Sequence, residues 1–125
     1  MDKPLALVVD DEKDIVEHVG VILSKSGFEV ISSLEGKKGL ELAKEKKPNV
    51  IILDIYMPDL DGSEIGTILK NDPTTKHIPI IYLTGLVTKE EFAGVEKMGS
   101  SFVVAKPVGH SELLELVNKA LADSN

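Results

Sequence analysis

The chain has 125 residues, enough for one domain with one sizeable core, and its 14 lysines against 21 acids leave a net charge of −7. It has no arginine and no cysteine, which removes the guanidinium forks that dominate nucleic-acid contacts, any disulfide framework and any thiolate metal site. No apolar run approaches bilayer length and the first residues lack a signal-peptide pattern, so the expectation is a soluble, unexported, cytoplasmic protein that contacts neither membrane nor nucleic acid directly.

Taken in order, the chain alternates between strand-like and helix-like segments. "LALVV" (5–9) reads as a strand buried on both faces, and it stops at "DDEKD", with Asp10 and Asp11 adjacent and Glu12 and Asp14 close behind. Ile15, Val19, Ile22 and Leu23 then recur at i, i+4, i+7 and i+8, the stripe of an amphipathic helix, with Gly27 as its stop. "FEVIS" (28–32) alternates like a less buried strand. A lysine-rich helix spans about 37–46, its lysines a solvated face, and Pro48 prevents its continuation.

"VIIL" (50–53) is the next buried strand and ends at Asp54. The loop "MPDLDG" follows, with Asp59 and Asp61 as turn residues and Gly62 supplying turn conformation; it leads into a helix whose apolar residues are Ile65, Ile68 and Leu69. "IPIIYL" (78–83) is a fourth strand, ending at Thr84. A weakly amphipathic fourth helix is expected over about 89–98, with Phe92, Val95 and Met98 toward the core. "SFVVA" (101–105) is the fifth strand, ending at Lys106-Pro107. In the last helix Leu113, Leu114, Val117, Ala120 and Leu121 form one stripe.

Five strands and five helices in alternation imply a single α/β domain over 1–125, a doubly wound five-stranded parallel sheet with helices on both faces. In the order 2-1-3-4-5, the carboxyl ends of strands 1 and 3 flank the topological switch point, where ligands bind. Asp10, Asp11, Asp54, Thr84 and Lys106 all terminate strands, so all five project onto that one edge. Singly, each has a bland reading as a helix-capping acid, a loop acid or a solvated group. Five polar strand ends meeting on one edge do not reduce to five independent accidents.

Three carboxylates within a few ångströms repel, and unless they are neutralised at least one should have a raised pKa. A hard divalent cation, held by one or two carboxylates, waters and a phosphate oxygen, is the economical remedy. A cation seat beside a third aspartate suggests phosphoryl transfer, in which a carboxylate nucleophile forms an acyl phosphate while cation, lysine and hydroxyl offset charge on the transferring oxygens.

The acidic pair in "VVDDE", the stretch "LDIYMPDLDG", the strand ending "YLTG" and the "AKP" after strand 5 together resemble a response-regulator receiver domain of the single-domain chemotaxis type, over essentially the whole chain. The steps of 30 residues from Asp54 to Thr84 and 22 from Thr84 to Lys106 also fit that family. The resemblance implies a flavodoxin-like (βα)5 fold. It implies that Asp54 takes a phosphoryl group from a phosphohistidine of a histidine kinase or phosphotransfer protein. Mg²⁺, with Mn²⁺ as a substitute, would be held by Asp11 directly, by Asp10 mainly through water, by Asp54 and by the backbone carbonyl of Tyr56. Thr84 would be the switch hydroxyl and Lys106 the lysine that pairs with the phosphoryl group, and the Lys106–Pro107 bond is usually cis in the family. Output would pass through the surface of the fourth helix, fifth strand and last helix to a downstream protein.

Val103 departs from the pattern, because the family usually carries Tyr or Phe three residues before the lysine. Phe102 is adjacent, but side chains alternate along a strand and it should face the opposite side. Tyr56 and Leu86, each two residues past a strand-end site residue, stand in such families near the path of attacking water. Both are bulky and neither is acidic or an amide, so self-dephosphorylation should take hours rather than seconds. The domain is read as an acceptor and not as a turnover enzyme. An aspartate-nucleophile phosphatase would need a second acid where Tyr56 stands, and a flavodoxin would need a Ser/Thr/Gly-rich phosphate loop where "DDEKD" would repel the anion. The alternative, a degenerate receiver that acts only through protein contacts, is weakened by the presence of the acceptor, the acidic pair, the threonine and the lysine. His18, His77 and His110 are scattered, without metal-ligand spacing.

Overall fold

The computed structural model describes residues 3–85, 102–106 and 108–123. Five strands, β1 (Leu5–Val9), β2 (Glu29–Ser33), β3 (Val50–Asp54), β4 (Ile80–Thr84) and β5 (Phe102–Ala105), form one sheet in the order β2-β1-β3-β4-β5. Every adjacent pair is parallel. Four helices are described: α1 (Lys13–Lys25), α2 (Gly36–Lys46), α3 (Gly62–Lys70) and α4 (His110–Asp123). None of them is long and apolar enough to cross a membrane. The expected helix over 89–98, with Phe92, Val95 and Met98, lies outside the described residues, as do Leu86 and the Lys106–Pro107 bond.

Because side chains alternate across a strand, the sheet builds two cores. Ala6, Val8, Val50, Ile52, Ile81 and Leu83 pack toward α1 and α4, while Leu7, Val9, Ile51, Leu53, Ile80 and Tyr82 pack toward α2 and α3. Phe102 joins the first layer and Val103 the second, so the two residues face opposite sides as the alternation requires. On α1 the buried stripe is Val16, Val19, Ile22 and Leu23, with Ile15 only partly buried at its edge. Of the apolar residues of α3, Ile68 is exposed; α3 buries Gly62, Ile65, Gly66 and Leu69, because its contact with the sheet is a narrow stripe.

The helix ends follow from local chemistry. α1 closes through Ser26, whose N–H reaches the carbonyl of Leu23, and Gly27 then takes φ 95°, a conformation that suits a residue without Cβ. α2 ends at Lys47 in the left-handed region (φ 46°), immediately before Pro48. Gly62 corrects the sequence reading. It is the first residue of α3 and lies so close under β3 that a methyl group there would run into the carbonyl of Asp54. Its role is to let the α3 terminus approach the strand end closely, with its N–H donating to Ile55 O at 2.7 Å.

Asp59 also does more than turn the chain. Its two carboxylate oxygens accept the N–H groups of Gly36 and Lys37, each at 3.0 Å. These are orphan donors of the first turn of α2, whose own N-cap residue, Glu35, supplies no side-chain bond. The loop after β3 is thereby tied to the start of α2, and the two N–H groups hold the Asp59 carboxyl below its ordinary pKa.

Candidate functional site

The parallel ladders deliver the strand ends to one edge. Asp10 follows β1 and extends its pairing, donating its N–H to Ser33 O at 3.2 Å. Asp54 closes β3 opposite Leu83, and Thr84 closes β4 opposite Ala105. Lys106 follows β5 and donates its backbone N–H to Thr84 O at 2.8 Å. Asp10, Asp54 and Thr84 are buried, whereas Asp11 is exposed at the mouth of the site.

The Lys106 side chain, only 13% exposed, gathers the acids. Its ammonium lies 2.9 Å from Asp10 Oδ2, 2.9 Å from Glu12 Oε1 and 3.5 Å from Asp54 Oδ1. Asp10 is tethered from its other side, where Oδ1 accepts the N–H of Glu12 at 2.9 Å, a short Asx-type turn that fixes the start of α1. Asp10 Oδ2 has the Lys106 charge nearby, yet among the described residues no donor meets it with hydrogen-bond geometry.

The electrostatics follow from this crowding. Burial raises the Asp10 pKa, and the Glu12 N–H and Lys106 only partly offset it. Asp54 is pushed up to about 7, by burial first and then by the Asp10 charge, against the pull of Lys106. The neighbouring Asp11 carboxylate adds to the rise, a smaller effect than burial and the Asp10 charge. Burial disfavours the Lys106 ammonium, but its contacts with Glu12 and Asp10 outweigh that and hold its pKa above the ordinary lysine value.

Three carboxyl groups thus contact one ammonium and a fourth, Asp11, lies close by, so the site carries more negative charge than its own residues neutralise. Among the described residues, one ligand oxygen each from Asp10, Asp11 and Glu12 lie within 4.8 Å of one another. An all-oxygen donor set with an unsatisfied buried carboxylate oxygen fits a hard cation of the Mg²⁺ type.

This strand order has counterparts in known proteins. A family profile described as "Response regulator receiver domain" matches residues 6–118. The chain belongs to the response regulator receiver domain family. The receiver is 29% identical over 124 residues, 99% of its length and all of the relative's, to the polar-differentiation response regulator DivK of Brucella anthropi. A putative response regulator from Chloroflexus aurantiacus superposes with a TM-score of 0.90 at 27% identity, covering 97% of this receiver and 99% of that chain. The receiver domain of the Francisella response regulator 1452 superposes with a TM-score of 0.87 at 30% identity, covering 98% and 99%.

Of the positions singled out in the sequence, the receiver fold brings Asp10, Asp54 and Lys106 into one ion-paired cluster with Asp11 beside Asp54, and it links Thr84 to Lys106 through the backbone. Tyr56 lies two residues past the end of β3 and is 57% exposed, and Val103 is half-buried opposite Tyr82. The three histidines are exposed; His18 Nε2 meets Val108 O at 2.9 Å. Glu12 is the participant that the sequence reading left without a role. Its one signal was a third acid, directly after the pair and at a helix start.

Proposed function

We propose that this receiver accepts a phosphoryl group on Asp54 from a phosphohistidine of a histidine kinase or phosphotransfer protein. The observation that carries the reading is the buried Asp54 carboxyl, raised to about 7, facing the Lys106 ammonium across 3.5 Å. A raised carboxyl pKa marks a carboxylate whose charge is poorly compensated, and therefore a more basic and more nucleophilic oxygen once it is deprotonated. An Asp54 oxygen forms a bond to phosphorus as the phosphorus–nitrogen bond of the donor breaks. The electron pair goes to the imidazole nitrogen, and the product on Asp54 is an acyl phosphate.

Lys106, freed of part of its present pairing, follows the charge to the phosphoryl oxygens, and the Thr84 hydroxyl turns toward the same group. A magnesium ion (or manganese in its place) held by Asp11 and Asp54, by Asp10 through water and by the Tyr56 carbonyl, would supply the remaining positive charge at the transferring oxygens. Tyr56 and Leu86 crowd the in-line approach of water and lengthen the life of the phosphorylated form. Output passes through the surface of the segment over 89–98, β5 and α4 to another protein in the cytoplasm. With Val103 in the place of an aromatic, that output uses no aromatic swing at β5. Residues 1–125 act as one receiver unit.

Incubation with Mg²⁺ and a small acyl-phosphate donor, followed by intact mass measurement, tests the reading. It requires a gain of one phosphoryl group that is absent in Asp54→Ala and blocked by a chelator. An unchanged mass for the wild type would refute it.

A further inference from the structure

The Lys106 ammonium is bound by two groups of different kinds. Asp10 is buried and fixed by the N–H of Glu12, so it cannot leave. Glu12 reaches the same ammonium at 2.9 Å from a side chain that is 60% exposed, at the first turn of α1. It spans 94 residues of sequence to do so. The acceptor Asp54 is the most distant of the three carboxylates, at 3.5 Å. In this state the lysine therefore makes its closest contacts with Asp10 and Glu12 and only a longer ion pair with the oxygen that it would serve.

We propose that Glu12 is a positioning residue, a resting-state latch that keeps Lys106 from closing fully onto Asp54 and lets go when Asp54 is phosphorylated. This rests on the phosphoacceptor reading above. A dianionic phosphoryl group on Asp54 is a stronger attractor for the ammonium than a lone carboxylate is. Of the two groups holding Lys106, only Glu12 can be released cheaply. It rotates into water, regains its rotamer freedom and gives up a screened, exposed ion pair of small worth. Asp10 keeps its contact and guides the lysine through the shift. The latch opposes phosphorylation by roughly the strength of the Glu12 pair, and it returns Lys106 to its parked position once the phosphoryl group is lost.

The test compares acyl-phosphate uptake in the wild type, Glu12→Gln and Glu12→Asp, each with Mg²⁺. Glu12→Gln should take up phosphoryl about two- to five-fold faster at low ionic strength, with the advantage shrinking at high salt where an exposed pair is screened. Glu12→Asp keeps the charge but is one methylene short of Lys106, and it should match Glu12→Gln. If the charge alone repelled the anionic donor, Glu12→Asp would instead match the wild type, and the latch would be overturned. The NMR signals of the Lys106 ε-methylene should differ between wild type and Glu12→Gln before phosphorylation and coincide after it. A Glu12→Gln protein that binds Mg²⁺ more weakly and phosphorylates more slowly would make Glu12 a metal ligand and overturn the latch. A wild type that gains no phosphoryl group would instead remove the phosphoacceptor reading and the latch with it. A wild type that gains one, with all three proteins equally fast, overturns the latch alone.

Discussion

The ammonium of Lys106 stands 3.5 Å from Oδ1 of Asp54, and both side chains are withdrawn from water at the end of the sheet. The same ammonium lies closer to Asp10 than to Asp54. Removing it would leave two buried carboxyls without a counter-ion. Lys106→Met should cost on the order of 3 kcal/mol at neutral pH in the absence of divalent cations, since breaking a buried pair strands its partner. Urea unfolding measures it. A loss indistinguishable from that of an exposed lysine would show that the cluster is held together by something else.

The raised pKa of Asp54 gives the receiver a definite pH response. In the unfolded chain this carboxyl releases its proton near the model value of 3.8, and in the native receiver at about 7. Between those values the native state binds more protons than the unfolded state, so stability falls as pH rises through that window and levels off above it. Burial of Asp10 acts in the same direction. Urea midpoints from pH 4.5 to 8 in the presence of a chelator should therefore decline. The decline should be shallower in Asp54→Asn, and Mg²⁺ should flatten it by favouring the ionised form. A wild-type midpoint that climbs between pH 5 and 7 would contradict the electrostatic account.

Asp59 titrates in the opposite sense. Its pKa is lowered by the N–H groups of Lys37 and Gly36, so its stabilising contribution is present above the unfolded carboxyl pKa and fades as pH falls through the folded one. Asp59→Ala should lower the unfolding midpoint at pH 7 and have little effect near pH 2. Equal losses at both pH values would mean that the carboxylate's charge is not what secures α2.

Gly66 on α3 leaves room for the buried Tyr82 ring, because a methyl group there would collide with the tyrosine hydroxyl. Gly66→Ala should destabilise by about 1–3 kcal/mol through overpacking. Adding Tyr82→Phe removes the closest atom and should restore part of the loss. Additive effects in that double-mutant cycle would show that the two residues do not meet.

Much of this site was legible because strand burial and strand termination are local signals. Apolar runs such as Leu5–Val9 and Val50–Asp54 end in polar residues at the same edge, and parallel order follows from the alternation of elements. Glu12, Asp59, Gly62 and Gly66 were not legible in the same way. Each acts across the fold: Glu12 on a lysine 94 residues away, Asp59 on a helix 22 and 23 residues earlier, Gly62 beneath a strand end and Gly66 against a ring on β4. Periodicity carries no information about such contacts. The exposure of Ile68 was not legible for a related reason. Helical spacing marks an apolar position, but only the width of the packed stripe decides whether it is covered.

On the proposed reading, the exposed Tyr56 shields the phosphorylated form. Tyr56→Asn, which replaces bulk with a group able to orient water, should then hasten loss of the phosphoryl group severalfold relative to the wild type, whose phosphoryl group should persist for hours. Following phosphoaspartate decay after donor removal checks this. Wild-type decay within seconds would refute the shielding role.

The account stands most directly on where the phosphoryl group sits. Borohydride reduces an acyl phosphate on aspartate to homoserine, so treatment of the receiver after incubation with donor and Mg²⁺, followed by peptide mass mapping, reads the position. The account requires homoserine at residue 54 and aspartate unchanged at 10 and 11. Homoserine at either of those two positions, or none anywhere in a chain that has gained a phosphoryl group, would contradict it.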